Sequence, residues 1–405
     1  MDNLIKHTAK VALITASLGL AQLAHAAWEV TPEVTLEAGV DDNFRLDPVN
    51  EEEATVASVE VAANILNVTE VSSFRTIIGA RYTDYFGVDD QFEVDGQDSQ
   101  FILLRGLRQG ERWNAGLLGN IRRESLLRSA QTDVVNLDGD DGFVVDLDPA
   151  DAEAGLVEEE IDRTRVFLRP YVTYLLSQRA SLTGGINYSS LSHDNDDALP
   201  LNDTQEIGAY AEYKYQVSER DTVGVHVARS KFDPDNLEES DLSEATFLWE
   251  RRLSENTRFN VEVGARRAEP DNGDSETGAL VRAGFQSRSE TGVFDLRVER
   301  RNAPSAFGDV VEFDRVRMRW RTDLSERWKS ETQLRATRTS RQGDASDAND
   351  RDNAEFRQKF AYALSEAWEF GVTYQYRYID RESQVDSADS NAIYLNLTFR
   401  PLSEF

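Results

Sequence analysis

The sequence predicts an all-β chain that closes into a transmembrane, antiparallel, up-and-down β-barrel. Three observations predict this fold: segments that alternate apolar and polar residues, links that alternate between short and long, and tryptophans that lie beside the short links. The chain has 405 residues, a formal net charge of −30 and no cysteine. Disulfides and thiolate metal sites are therefore excluded, and the acidic charge argues against nucleic acid as a partner.

The chain begins with the features of an export signal. Lys6 and Lys10 precede a short apolar run, and residues 24–26 read Ala-His-Ala, a typical cleavage site. We expect residues 1–26 to be a signal peptide and residues 27–405 to form a single barrel domain. No later apolar run approaches the ~18 residues of a membrane helix, but a membrane-spanning β-strand needs only ~9–11 residues and one apolar face.

The clearest alternating segment is "FDRVRMRWRTDLSERW", residues 313–328. Val316, Met318 and Trp320 fall on one side of a strand, because successive side chains point to opposite faces. The other side carries four arginines, Arg315, Arg317, Arg319 and Arg321. Segments 257–267, 291–301 and 368–378 alternate in the same way, and a helix would spread their charges around its whole surface.

The links between alternating segments are of two kinds. Short links such as "LSERW" at 324–328 and "LSEAW" at 364–368 alternate with long acidic links such as "RQGDASDANDRDN" at 341–353. This arrangement is typical of outer-membrane barrels, which have short periplasmic turns and longer extracellular loops. The longest link, at about 125–160, either folds into the bore or stands outside it as an acidic cap.

The links delimit about eighteen strands. Sixteen is the alternative, because Pro32 and nearby acidic residues weaken the first strand. Strands of roughly 12–14 residues exceed the 5–6 that are usual in a soluble sandwich. The predicted strand centres are Thr35, Ser58, Ile78, Leu104, Leu118, Leu168, Ile186, Tyr210, Val225, Phe247, Val261, Val281, Leu296, Met318, Leu334, Gln358, Thr373 and Leu395.

Five tryptophans, Trp113, Trp249, Trp320, Trp328 and Trp368, lie at the short-link ends of their strands. Tryptophan prefers the membrane–water interface, where its ring is half buried and its N–H group stays hydrated. We therefore interpret these residues as an aromatic girdle at one membrane interface.

The polar faces of the strands would line the bore, because only a closed barrel pairs every strand inside a bilayer. The register predicts that Arg321 lies opposite Glu331. Two interpretations of these charges remain open: cross-strand ion pairs that stiffen the wall, or a basic strip that attracts anionic solutes into an aqueous channel. Besides the four arginines above, the predicted lumen-lining charges are Arg297, Glu299, Glu331 and Arg335.

Residues for chemistry are scarce. His193 has Ser190, Ser192, Asp194 and Asp196 nearby, but such groups arise easily in a loop rich in Asp and Ser. No phosphate-binding loop, nucleophile motif or metal-spaced histidine pair occurs. We therefore expect no catalytic residues, no metal site and no cofactor, so the protein is not predicted to be an enzyme.

The segment "TPEVTLEAGVDDNF", residues 31–44, and the "LSERW"-like turns carry a family resemblance. In these letters and in layout, the chain resembles the type 2 β-barrel porins encoded in exopolysaccharide and capsule loci. The resemblance implies an outer-membrane barrel that helps a polysaccharide cross the outer membrane, together with periplasmic export proteins. No catalytic residues are defined for that family.

These observations lead to one functional expectation and two alternatives. The expectation is a porin for export of an exopolysaccharide or capsular polysaccharide in the outer membrane of a Gram-negative bacterium. The alternatives are a general or solute-selective diffusion porin and a structural or adhesive surface barrel. The expected partners are outer-membrane lipid, lipopolysaccharide and the barrel-assembly machinery, which would recognise a last strand that ends in Phe405.

Overall fold

The structure is a computed structural model that describes residues 28–88, 96–125, 161–194, 201–235, 238–271, 275–304, 310–341, 350–382 and 386–401. The predicted signal peptide, nearly all of the 125–160 link and Phe405 lie outside these residues. Within the described part, no helix is long and apolar enough to cross a membrane.

Eighteen strands of 12 to 15 residues form one antiparallel sheet. Each predicted strand centre falls inside a different strand, so the count of eighteen is confirmed. The strands are β1 Glu29–Asp41, β2 Ala54–Val68, β3 Ser72–Phe86, β4 Gln97–Gln109, β5 Trp113–Ser125, β6 Asp162–Leu175, β7 Ala180–Asp194, β8 Thr204–Gln216, β9 Asp221–Pro234, β10 Ser240–Ser254, β11 Thr257–Pro270, β12 Glu276–Arg288, β13 Gly292–Pro304, β14 Val310–Asp323, β15 Trp328–Arg341, β16 Arg351–Ala363, β17 Trp368–Arg381 and β18 Ala388–Phe399.

The sheet closes on itself. Each strand pairs with its neighbours in the chain, and β1 also pairs with β18, with Val34 opposite Phe399. β1 forms despite Pro32, which lies opposite Ala63 of β2. Closure leaves no sheet edge, which is the condition for strands to cross a bilayer.

The short links owe their recurring letters to a serine. In the turn after β14, the Ser325 hydroxyl accepts the N–H of Trp328 at 3.1 Å, while the Leu324 N–H donates to the Trp328 carbonyl at 2.8 Å. Ser177, Ser218 and Ser365 accept backbone N–H groups in the same way in three other turns. A serine that stabilises its own turn explains why serine recurs at this position of the short links.

The outer wall is apolar and exposed. Its large side chains include Ile186, Val225, Phe247 and Leu395, each about half exposed. Such an extensive exposed apolar surface on a closed barrel is suited to hydrocarbon rather than water. The chain therefore has the architecture of a transmembrane β-barrel.

The tryptophans stand on this outer wall near the short links. Trp113, Trp320, Trp328 and Trp368 are 38–50% exposed. Trp249 is only partly exposed, and its Nε1 donates to Asp221 at 3.2 Å. An exposed ring beside a polar partner is the geometry expected of an interfacial girdle, although membrane placement of these five residues remains a prediction.

Candidate functional site: the inner wall of the barrel

The four arginines of β14 share one side of the strand. The opposite side includes Trp320, which is 50% exposed on the outer wall, whereas Arg315 is only 5% exposed. Cross-strand register places Glu299 of β13 opposite Arg315 and Glu331 of β15 opposite Arg321. We call the inward-facing arginines of β13–β15 the basic strip, namely Arg297, Arg301, Arg315, Arg317, Arg319, Arg321 and Arg335.

Several ion pairs join the basic strip to carboxylates across strands. Arg315 Nη2 lies 2.8 Å from Glu299. Glu331 lies opposite Arg321 in the register, as predicted, but its carboxylate bonds the diagonal neighbour Arg319 at 2.7 Å. A long arginine side chain can reach a diagonal partner, so register alone does not fix the pairing.

Three arginines of the basic strip form a row of like charges across neighbouring strands. Arg297, Arg317 and Arg335 lie directly opposite one another on β13, β14 and β15. This arginine row is bounded by Gly284 on one side and Glu355 on the other. Like charges directly opposite in a sheet repel one another. Carboxylates stand beside the row, since Arg297 Nε lies 3.2 Å from Asp295 on its own strand and Glu355 lies opposite Arg335.

The outer wall of the same strands carries charges of alternating sign. There Arg300, Asp314, Arg338 and Asp352 occupy successive opposite positions on β13–β16. Arg300 Nε bonds Asp314 at 2.7 Å, and Arg338 Nε bonds Asp352 at the same distance. On the outer wall, positive and negative side chains thus alternate from strand to strand. At the arginine row of the inner wall, three positive side chains lie opposite one another instead.

A second inner region is apolar. Leu103 of β4 is 1% exposed and packs against Ile77, Phe101, Leu118 and Phe167, which come from β3 to β6. We call these five residues the apolar wall. The sequence does not predict it. Segments such as "FILL" at 101–104 are apolar on both faces, so their alternation does not show which side chains face the bore and which face the lipid.

Part of the apolar wall and part of the basic strip border one cavity of about 540 Å³. Leu118 and Phe167 contribute apolar surface to it. Its charged lining has both signs and includes Arg169, Arg258, Arg266, Arg282, Arg297, Arg301 and Arg315 with Glu206, Glu212, Glu244, Glu262, Asp295 and Glu299. A cavity of this size can hold a small organic molecule.

A stack of planar groups borders the same cavity. The Arg169 guanidinium lies 4.5 Å from the centre of the Tyr210 ring, and Tyr210 stacks on His226 at 5.4 Å. Gly185, on the intervening strand, makes room for it, because a Cβ atom there would lie 2.5 Å from the Tyr210 ring. The Tyr210 ring thus holds the Arg169 guanidinium on one side and the His226 imidazole on the other.

The hydrolase-like group around His193 is not assembled. Ser190 and Ser192 point to the opposite face of β7 from His193, since they differ from it by odd numbers of residues. The Asp203 carboxylate accepts the backbone N–H of His193 at 2.8 Å, and Asp196 lies outside the described residues. In that part of the chain, no group of three or more His, Cys, Asp or Glu residues could hold a metal ion.

Comparison with solved structures finds outer-membrane porins. The chain is similar to OccAB4 of Acinetobacter baumannii, with 9% identity, a TM-score of 0.42, and coverage of 93% of this chain and 99% of that one. For OccK2 (OpdF) of Pseudomonas aeruginosa in complex with glucuronate, the values are 11%, 0.44, 92% and 99%. For a BenF-like porin from Pseudomonas fluorescens Pf-5 they are 9%, 0.46, 92% and 99%. Such low values say nothing about the solute.

No family model matches the chain, and no curated protein matches its sequence. The resemblance to porins of exopolysaccharide and capsule loci therefore gains no support. The assignment as a barrel stands on the strand pairing of this chain itself.

Proposed function

We propose that the protein is a diffusion porin that lets small organic anions cross the outer membrane. The observation that supports the proposal is the arginine row, in which Arg297, Arg317 and Arg335 face one another across adjacent strands. Three guanidinium groups on adjacent strands concentrate positive charge on one part of the inner wall, and this charge attracts a passing anion.

The surroundings of the row favour a small organic anion. A cleft with walls of low dielectric constant focuses the field of its charges and raises the local concentration of counter-ions. Leu118 and Phe167 of the apolar wall line one cavity together with Arg297 of the row, so a solute with a hydrocarbon part would meet both kinds of surface there. Polysaccharide export and a purely structural surface role are not favoured by any contact or cavity within the described ranges.

Bilayer electrophysiology tests the proposal. The purified protein, inserted in a planar bilayer under a KCl gradient, should conduct without partners and show a reversal potential that favours chloride over potassium. A triple variant, Arg297→Gln with Arg317→Gln and Arg335→Gln, should lose most of that preference, because the variant removes the focused positive field.

A matched control removes the same charge from the outer wall. Arg267, Arg300 and Arg338 project outward with side chains 54%, 47% and 64% exposed. Replacing these three by Gln should leave the selectivity unchanged. Absence of conductance in the native protein, or equal loss of selectivity in both triple variants, would contradict the proposal.

A further inference from the structure

The link between β1 and β2, residues 42–53, folds onto the inner wall beside the place where the barrel closes. Phe44 is 1% exposed, and its ring lies 5.1 Å from that of Tyr85 on β3. Val56 of β2 and Ala392 and Tyr394 of β18 complete the apolar cluster around it. Side chains on both sides of the closure therefore share one buried phenyl ring.

The backbone of this link is held in an unusual conformation. Leu46 has a φ of 56°, a region that a bulky residue rarely adopts. It is 5% exposed and packs on Ile379 of β17 and Ala388 of β18, while its N–H donates to the Asn43 carbonyl at 3.1 Å. Such a conformation persists only when its surroundings fix it.

Polar groups fix the remainder of the link. The Asn43 amide donates to the carbonyls of Asp389 and Asp47 at 3.0 and 2.9 Å, and its oxygen accepts the N–H of Asp47 at 3.1 Å. The Asp47 carboxylate accepts the N–H groups of Val49 and Asn50. Burial alone would raise the pKa of Asp47, but these hydrogen bonds outweigh it and lower the pKa below its usual value.

Arg377 joins the link to three strands. It projects inward from β17 with a side chain 2% exposed. It donates to Asp41 of β1 at 2.7 Å, to Ser390 of β18 at 3.0 Å and to the carbonyls of Asn43 and Phe44 at 3.3 Å. The Ser390 hydroxyl also donates to Asp41 at 2.6 Å.

The seam between β1 and β18 needs such support. Its register runs only from Val34 to Asp41, whereas β1 pairs with β2 over its whole length, from Glu29 to Asp41. Fewer ladder hydrogen bonds therefore hold the first strand to the last. Charged and neutral hydrogen bonds from Arg377 lie at the long-link end of this shorter ladder.

We infer that residues 42–47 and Arg377 form a fixed clamp that holds the β1–β18 seam shut and also narrows the bore at that side. The clamp would limit the size of solutes that pass, independently of their charge. Its effect on solute size presupposes the diffusion function proposed above, but its effect on the seam does not.

The first test replaces the centre of the clamp. Arg377→Leu removes every hydrogen bond of the guanidinium while keeping an apolar side chain of moderate size. We expect a lower temperature for loss of the SDS-resistant barrel, by about 5–10 °C, and a rise in single-channel conductance. Arg357→Leu is the matched control, because Arg357 is an inward arginine of β16, one strand further from the seam, that is 8% exposed and lies opposite Gln375 of β17.

The second test separates the two effects. Val40 and Ile393 face each other across the seam on the outer wall, and the chain has no other cysteine with which new thiols could pair. Val40→Cys with Ile393→Cys, added to Arg377→Leu, should form a disulfide, since opposite Cα atoms in a sheet are close enough. Oxidation should restore the thermal resistance and leave the conductance raised.

Two outcomes overturn the inference. One is that Arg377→Leu changes neither resistance nor conductance more than Arg357→Leu does. The other is that oxidation restores both properties, which would leave the link no part in narrowing the bore. If Arg377→Leu does not fold, Phe44→Ser in the oxidised double-cysteine protein tests the narrowing alone. Should the native protein not conduct, the proposed function fails while the resistance measurement still decides the seam.

Discussion

The inner wall of this barrel is built in two different ways. Across β3–β6, Leu103 and its neighbours pack together as in a soluble core. Across β13–β15, the seven arginines of the basic strip line the wall among carboxylates such as Asp295, Glu299 and Glu331. Near its long-link end the apolar region also carries a buried pair, Arg163 with Glu124 at 2.9 Å.

The difference shows that period-two patterning constrains the outer face far more than the inner one. Lipid demands apolar side chains on every strand. The bore accepts either packed hydrocarbon or charge, provided that hydrocarbon is covered and charge is paired or hydrated. Three substitutions test this contrast, and their expected effects decrease in order.

The largest effect is expected on the apolar wall. Leu103→Ala should lower the free energy of unfolding by about 3 kcal/mol, because it empties a fully buried site that cannot collapse easily. Urea unfolding in lipid vesicles, followed by tryptophan fluorescence, measures it. Leu395→Ala is the control: Leu395 is 50% exposed on the outer wall, where lipid chains can fill the space, and a similar loss there would refute the contrast.

An intermediate effect is expected where charge is buried. Arg315→Gln should cost about 2 kcal/mol, because it leaves Glu299 without its 2.8 Å partner. The loss stays below the ~3–5 kcal/mol typical of a buried pair, since Arg301 lies 3.9 Å from the same carboxylate. The same unfolding assay applies. Arg315→Lys keeps the positive charge, so it should lower the free energy of unfolding less than Arg315→Gln does. Equal losses in the two variants would show that packing of the arginine side chain, rather than its charge, stabilises this site.

The smallest effect is expected where charge is hydrated. Arg319→Gln breaks the pair with Glu331, whose side chains are 19% and 23% exposed. Water screens such a pair, so we expect a loss of less than about 1 kcal/mol. Repeating the unfolding at high salt should shrink the difference further. If Arg319→Gln lowers the free energy of unfolding as much as Arg315→Gln does, the two ion pairs are equally shielded from water and the expected order is wrong.

Most of the fold could be predicted because the signals are local. Alternation and the serine turns fix the strands, and the turn length fixed the register of Glu331 against Arg321. The partner of Glu331 could not be predicted, because side-chain reach decides between Arg319 and Arg321. The sequence leaves open whether the charged face stiffens the wall or attracts solute, and the selectivity measurement proposed above is what would distinguish the two interpretations.

The inward fold of the β1–β2 link could not be predicted either. "DDNF" at 41–44 looks like any polar loop start, and its partners Arg377 and Ser390 are far away in the chain. Only the closed ring brings them together. The segment "VDDNF" at 40–44 carries part of the family resemblance. In the structure its residues contact the last two strands, β17 and β18.

Asp41 and Arg377 are 336 residues apart in sequence yet 2.7 Å apart in space. Their contact requires that the earliest and the latest segments of the ring have met. A half-inserted chain, however well its hairpins are formed, lacks it. This ion pair therefore forms only when the barrel has closed. A spectroscopic probe placed there would report closed barrels and would not respond to partly assembled intermediates.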